Sequence, residues 1–292
     1  MQNATPTVIA VLALELAPAA AFGLAGECAT RAISQWPRLL RLFMPALFAL
    51  PYAVLGAQQH SLRWQWMTLY TFLPIIVAGL LMQASVVDPE QNGNWRDALV
   101  LLTLGVAVDL RWFDSAWPDG VRGLGNLLLL DVGLYGFLGI RRLTGTGFDF
   151  HFRGNDWKIG LRELVFFAPA VIVLGLALGF LHPHSYIPTF AKAALSWVGI
   201  FVFVAVLEEL FFRAWVQNLL ERRLGRTPAL IIASILFGLS HFNKRSAHFN
   251  WRYVLLATIA GIFYGRAWRE QRRVPASAIT HTCVDWLWSW WF

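Results

Sequence analysis

Ten apolar stretches follow one another along the chain, most of them close to the roughly 20 residues that an α-helix needs to cross a hydrocarbon core about 30 Å thick. They run at about 7–25, 39–57, 66–84, 98–113, 124–140, 161–181, 191–220, 228–242, 253–268 and 275–292. With 57% of its 292 residues hydrophobic and 14% charged, against roughly a quarter charged in an ordinary soluble domain, the chain is excluded from the soluble class. The spacing leaves no room for a large extramembrane domain. The predicted fold class is all-α, a multi-spanning integral membrane bundle of about 8–10 transmembrane helices. Stretches 39–57, 98–113 and 228–242 are short for a full crossing and are expected to be tilted, re-entrant or buried against neighbours. The first stretch reads as a membrane helix and not a cleaved signal, because no Lys or Arg precedes Arg31 and Glu15 interrupts the apolar run.

The net charge of +7 reads as topology. Sixteen Lys and Arg fall in one set of alternate loops and seven in the other, with Arg213 alone inside a span. The positive-inside rule then places both termini outside and the larger set in the cytoplasm, as expected in the plasma (cell inner) membrane. No contiguous basic run suggests nucleic acid. Cys28 and Cys283 are too few for a disulfide framework or a cysteine zinc site. Residues 141–160, with Gly145, Gly147, Gly154 and the alternating Phe148, Phe150 and Phe152, read as a polar surface connection. It separates N-terminal membrane helices of unassigned role (1–140) from a C-terminal bundle (161–292). Gly145-Thr146-Gly147 lacks the strand and helix context of a nucleotide loop. Most of the fifteen tryptophans, Trp268 among them, lie near stretch ends, where interfacial anchoring suits them.

Ionisable residues in mid-span cost at least ~2.5–3.5 kcal/mol each and point to function. The seventh stretch holds Glu208-Glu209-x-x-x-Arg213. Glu209 and Arg213 share a helix face and can pair, leaving Glu208 free to act as a general base. The bland alternative is a packing ion pair beside a solvated acid. The eighth stretch carries Phe237-x-x-x-His241 and the tenth His281-x-x-x-Asp285, again with i, i+4 partners on one face. Counted at 1.5 Å per residue from the nearest cytoplasmic basic residues, Glu209, His241, His281 and Asp285 fall within about two helical turns of a common level. They are placed to share one water-filled site. Cys283 points away from the face of His281 and Asp285. His182-Pro183-His184 is a weaker surface metal candidate.

These three motifs, in this order in the last third of the chain, resemble the CPBP family, the type II CaaX prenyl endopeptidases and their bacterial relatives that process bacteriocins or confer immunity to them, also called the Abi family. The resemblance covers about residues 160–292. It implies an intramembrane endopeptidase in which Glu208 activates water and Glu209 with Arg213 supports it. It places His241 and His281 as metal ligands or oxyanion donors, with Asp285 beside them. Glu208, His241, His281 and Asp285 would then be the ligands of a divalent metal such as zinc. The soluble signature His-Glu-x-x-His is absent, and a metal-independent route uses the same side chains. The implied partners are the lipid bilayer and a membrane-associated peptide or lipidated protein. The competing reading is a non-catalytic scaffold or immunity protein, or an ion-coupled transporter. It is disfavoured by the crowding of acids and histidines into stretches seven, eight and ten with no counterpart in the first five.

Overall fold

The computed structural model describes residues 5–244, 246 and 248–292, and among these there is helix and no strand. Arg245, one of the seven basic residues in the smaller loop set, lies outside the described residues. Among the described residues the ten predicted stretches become ten helices, the first kinked at Ala25. They are α1 (Pro6–Gln35), α2 (Arg38–Gln58), α3 (Trp64–Val87), α4 (Trp95–Asp109) and α5 (Leu124–Ile140). In the second half lie α6 (Gly154–Ala177), α7 (Phe190–Leu224), α8 (Arg226–Leu239), α9 (Trp251–Gln271) and α10 (Val274–Trp291).

Five helices, α1, α2, α3, α6 and α7, are long and apolar enough to cross a membrane, and the protein is an integral membrane protein. The stretch at 39–57 is longer than predicted: Met44–Ala49 is wound as a 3-10 helix, which rises about 2.0 Å per residue, inside a helix of 21 residues. Helices α5 and α8 are apolar but short. Helices α9 and α10 are long but interrupted by Arg252, Arg266, Arg269 and Glu270 in one and by His281 and Asp285 in the other.

The chain divides into two compact units, Met1–Thr144 and Gly145–Phe292. In the first, the buried Arg141 closes α5 by donating from Nε to Asp97 Oδ1 at 3.0 Å and from Nη2 to Asp88 Oδ2 at 2.6 Å. Trp117 donates its indole N–H to the Tyr70 hydroxyl at 2.7 Å.

In the second unit, α6, α7, α8 and α9 contribute a core of Phe167, Phe212, Phe237, Ala257, Ala260 and Tyr264, with Val284 of α10 packed against it. Helices α8 and α9 approach closely at Gly238, where a Cβ would lie 1.9 Å from Thr258 Oγ1 and 2.6 Å from the Val254 carbonyl oxygen. Only glycine admits that contact.

The connection predicted as a surface segment is shorter and more buried than its polarity suggests. Helix α6 begins at Gly154, where the Asp156 carboxylate accepts the Arg153 N–H at 2.8 Å and so satisfies one orphan donor of the first turn. Asp156 also accepts Arg273 Nε at 2.7 Å, and Asp149 accepts Arg273 Nη1 at 2.8 Å. Partial burial pushes the Asp149 carboxyl up, but the hydrogen bonds from Arg273 and His151 outweigh it and hold it down at about 2. Val274 donates its N–H to the Gly147 carbonyl at 2.9 Å. At Gly147, with φ at +67°, a Cβ would fall 1.7 Å from the Arg272 carbonyl oxygen, which accounts for the glycine. Trp268, expected as an interfacial anchor, is fully buried and donates to the Thr146 carbonyl at 2.9 Å. These contacts fix where α10, the helix of His281 and Asp285, begins.

Candidate active site

Helix α7 carries the acidic pair on one ordinary α turn, Val206–Glu209, between two stretches wound with i→i+5 hydrogen bonds, Phe201–Ala205 and Leu210–Gln217. Such wide turns concentrate at functional sites because they re-aim side chains along an otherwise regular helix. The pair predicted from spacing forms: Arg213 donates from Nε to Glu209 Oε2 at 2.9 Å, with both side chains fully buried. The Ser277 hydroxyl donates to the same oxygen. The other oxygen, Oε1, lies 2.8 Å from His281 Nδ1. Glu209 is therefore held by three donors from two helices. The Arg213 guanidinium lies 5.1 Å over the Phe237 ring and 6.0 Å over that of Tyr264, a cation–π seat. Its Nη1 and Nη2 find no hydrogen-bond partner among the described residues.

His281 stacks on Tyr264 with ring centroids 4.6 Å apart. Since Nδ1 donates to Glu209, the ring presents Nε2 to the rest of the site, 3.4 Å from Asp285 Oδ2 and 3.9 Å from Glu208 Oε2. His241 follows the end of α8, its Nδ1 placed 2.9 Å from the Phe237 carbonyl oxygen. A carbonyl only accepts, so Nδ1 carries the proton and Nε2 is the acceptor. That nitrogen faces Lys244 Nζ at 3.4 Å.

Glu208, Glu209, Arg213, His281 and Asp285 thus form one continuous set of contacts. His241 joins it through Lys244 and through Phe237, whose ring centroid lies 4.9 Å from that of His241 and 5.7 Å from that of His281. Glu208 is not left free by the Glu209–Arg213 pair. Lys244 Nζ stands 3.5 Å from its Oε1, a contact between a helix and a loop that helical spacing does not reveal.

Among the described residues no group of three or more His, Cys, Asp and Glu side chains comes together in a metal-holding arrangement, and that includes His182 and His184. An apolar cleft opens beside the cluster, walled by Phe167, Val171, Leu256 and Trp288 and edged by His241, His281 and Asp285. The N-terminal unit is not free of buried acids, contrary to the expected asymmetry. Glu15 on α1 and Asp131 on α5 are 2% and 3% exposed, and neither Glu15 oxygen has a hydrogen-bond partner among the described residues. The unit still contributes no histidine to such a set.

Residues 190–287 match the family described as Type II CAAX prenyl endopeptidase Rce1-like. The matched interval contains the whole constellation from Glu208 to Asp285. Over that interval the chain is similar to the Rce1-like family, in support of the resemblance drawn from the three motifs. At family level the match supports a CAAX-type intramembrane protease, a membrane endopeptidase. Comparison with curated proteins and with solved structures gives no match.

Proposed function

We propose that the C-terminal unit of this protein cleaves a lipid-modified peptide at the membrane, using Glu208 as the base that takes the proton from the attacking water. The observation that carries this reading is the contrast between the two acids. Glu209 is fully buried and saturated by Arg213, Ser277 and His281, whereas the Glu208 side chain is 25% exposed and faces His281 Nε2. Glu209 orients His281 through Nδ1. A proton on Nε2 then makes His281 a donor to the tetrahedral oxyanion, with Asp285 as its resting acceptor. A base of this kind contributes about 10²–10⁴-fold, and a preorganised oxyanion donor a comparable factor.

A divalent ion does not suit this donor set. His241 Nε2 faces an ammonium at 3.4 Å, and among the described residues no three His, Cys, Asp or Glu side chains come together in a metal-holding arrangement. Glu208 and Glu209 already have Lys244 and Arg213 as counter-charges. The reaction is accordingly written with protein side chains and water alone. The apolar cleft beside His241 and His281 suits an aliphatic or prenyl chain, with the scissile bond at its polar edge. The plasma membrane is the proposed location.

The test compares membrane-peptide N-termini by mass spectrometry in cells carrying wild type or Glu208→Gln at matched, folded levels. New termini confined to wild type support the assignment. Identical profiles reject it and favour a scaffold or transporter.

A further inference from the structure

We propose that Lys244 is a positioning residue of this site, its ammonium bridging Glu208 on α7 and His241 beyond the end of α8. The consequence for rate rests on the hydrolytic reading above, whereas the bridge itself rests on geometry. Nζ lies 3.5 Å from Glu208 Oε1 and 3.4 Å from His241 Nε2. An ammonium has three donors and no acceptor, and both of its neighbours are acceptors: Glu208 as a carboxylate, and His241 Nε2 because the Phe237 carbonyl claims the proton on Nδ1.

The turn that carries Lys244 is itself tied down. Its N–H donates to the His241 carbonyl at 3.3 Å, and its own carbonyl accepts from Asn250 Nδ2 at 3.1 Å. Asn250 in turn donates its N–H to the Phe242 carbonyl at 2.8 Å and accepts the Tyr253 N–H at 3.3 Å at the start of α9. A lysine held by its backbone between two helix ends, with its side chain 33% exposed, differs from a solvated surface cation that wanders among rotamers. It reaches Glu208 from the side opposite His281, whose Nε2 is 3.9 Å from the other carboxylate oxygen. Lys244 therefore holds one oxygen of the base, while the other, Oε2, has no hydrogen-bond partner among the described residues and faces His281 Nε2. The ammonium also takes the place between Glu208 and His241 that a metal ion ligated by both would need.

The experiment uses full-length protein in lipid nanodiscs, as wild type, Lys244→Met, Lys244→Gln, Lys244→Arg and Glu208→Gln, each checked for helix content and melting temperature. Hydrolysis is followed with a farnesylated, fluorescently labelled peptide ending Cys-Val-Ile-Met, and the bridge with ¹⁵N-histidine spectra. We expect kcat to fall about 100-fold in Lys244→Met and Lys244→Gln, the order associated with a misplacement of about 1 Å. KM should stay within about twofold, and Lys244→Arg should recover at least about a tenth of the wild-type rate. We also expect the His241 Nε2 resonance to move in Lys244→Met and stay close to wild type in Lys244→Arg. An unchanged His241 resonance in Lys244→Met overturns the bridge, whatever the peptide does. So does one zinc ion per wild-type chain that is lost in both Glu208→Gln and His241→Ala. If Glu208→Gln hydrolyses the peptide as wild type does, the assignment of Glu208 as the base fails, and the spectra still decide on Lys244.

Discussion

Removing one partner of the Glu209–Arg213 pair should destabilise the protein unequally from the two sides, and the asymmetry follows from the hydrogen bonds. Both side chains are fully buried and joined at 2.9 Å. Breaking such a pair by deleting one partner costs about 3–5 kcal/mol, mostly from the charge left behind. In Arg213→Met the stranded Glu209 keeps the Ser277 hydroxyl and His281 Nδ1 as donors, so the cost should lie near the lower figure, about 3 kcal/mol. In Glu209→Met the stranded Arg213 keeps only the Phe237 and Tyr264 rings, because Nη1 and Nη2 have no hydrogen-bond partner among the described residues and methionine offers Nε no oxygen. That cost should approach about 5 kcal/mol. The double substitution Glu209→Met with Arg213→Met removes both charges and should cost less than Glu209→Met alone, the signature of a coupled pair. Reversible unfolding in mixed detergent micelles measures all three. Single-mutant losses below about 1 kcal/mol, the range of exposed pairs, would refute the reasoning, as would a double mutant equal to the sum of the singles.

Further outcomes follow from other contacts. Gly238→Ala places a methyl group 1.9 Å from Thr258 Oγ1 and should cost about 1–3 kcal/mol in the same unfolding assay. Adding Thr258→Ala should restore only part, since the Val254 carbonyl 2.6 Å away remains. Glu15→Leu replaces a buried carboxyl whose oxygens find no hydrogen-bond partner among the described residues, and should raise stability by about 1–3 kcal/mol. A neutral or negative change would show that the acid is satisfied. Asp149, held at about 2 in the folded protein against an ordinary 3.8, stabilises the fold above about pH 4 and loses that contribution as pH falls through about 2. The full contribution is about 2 kcal/mol, and the acid limb of a stability profile should flatten in Asp149→Asn.

What the chain discloses through spacing is what lies within one helix. Glu209 and Arg213, Phe237 and His241, and His281 and Asp285 are each four apart, and helical geometry alone sets them side by side. The ten apolar stretches likewise map onto ten helices, because hydrocarbon burial leaves a long signal in composition. What needs two elements to meet is not legible. Lys244 sits beyond the end of α8 and looked like one more loop charge until the fold turned it toward Glu208. Trp268 looked interfacial because it closes an apolar run, yet the connection after α5 folds over its indole. The depth of 145–153 was hidden because its partner Arg273 is more than a hundred residues away in the chain. The wide winding of α7 on either side of the acid pair has no signal in residue type that helical spacing would expose.

The central claim is that Glu208 is the base of a peptide-bond hydrolase built from side chains of α7, α8 and α10. The most direct test is single-turnover hydrolysis of the farnesylated Cys-Val-Ile-Met peptide by purified protein in nanodiscs, wild type beside Glu208→Gln, with and without a zinc chelator. The account predicts one cleavage product from wild type, unaffected by the chelator, and a loss of about 10²–10⁴-fold in Glu208→Gln. Cleavage at the wild-type rate by a folded Glu208→Gln protein would contradict it.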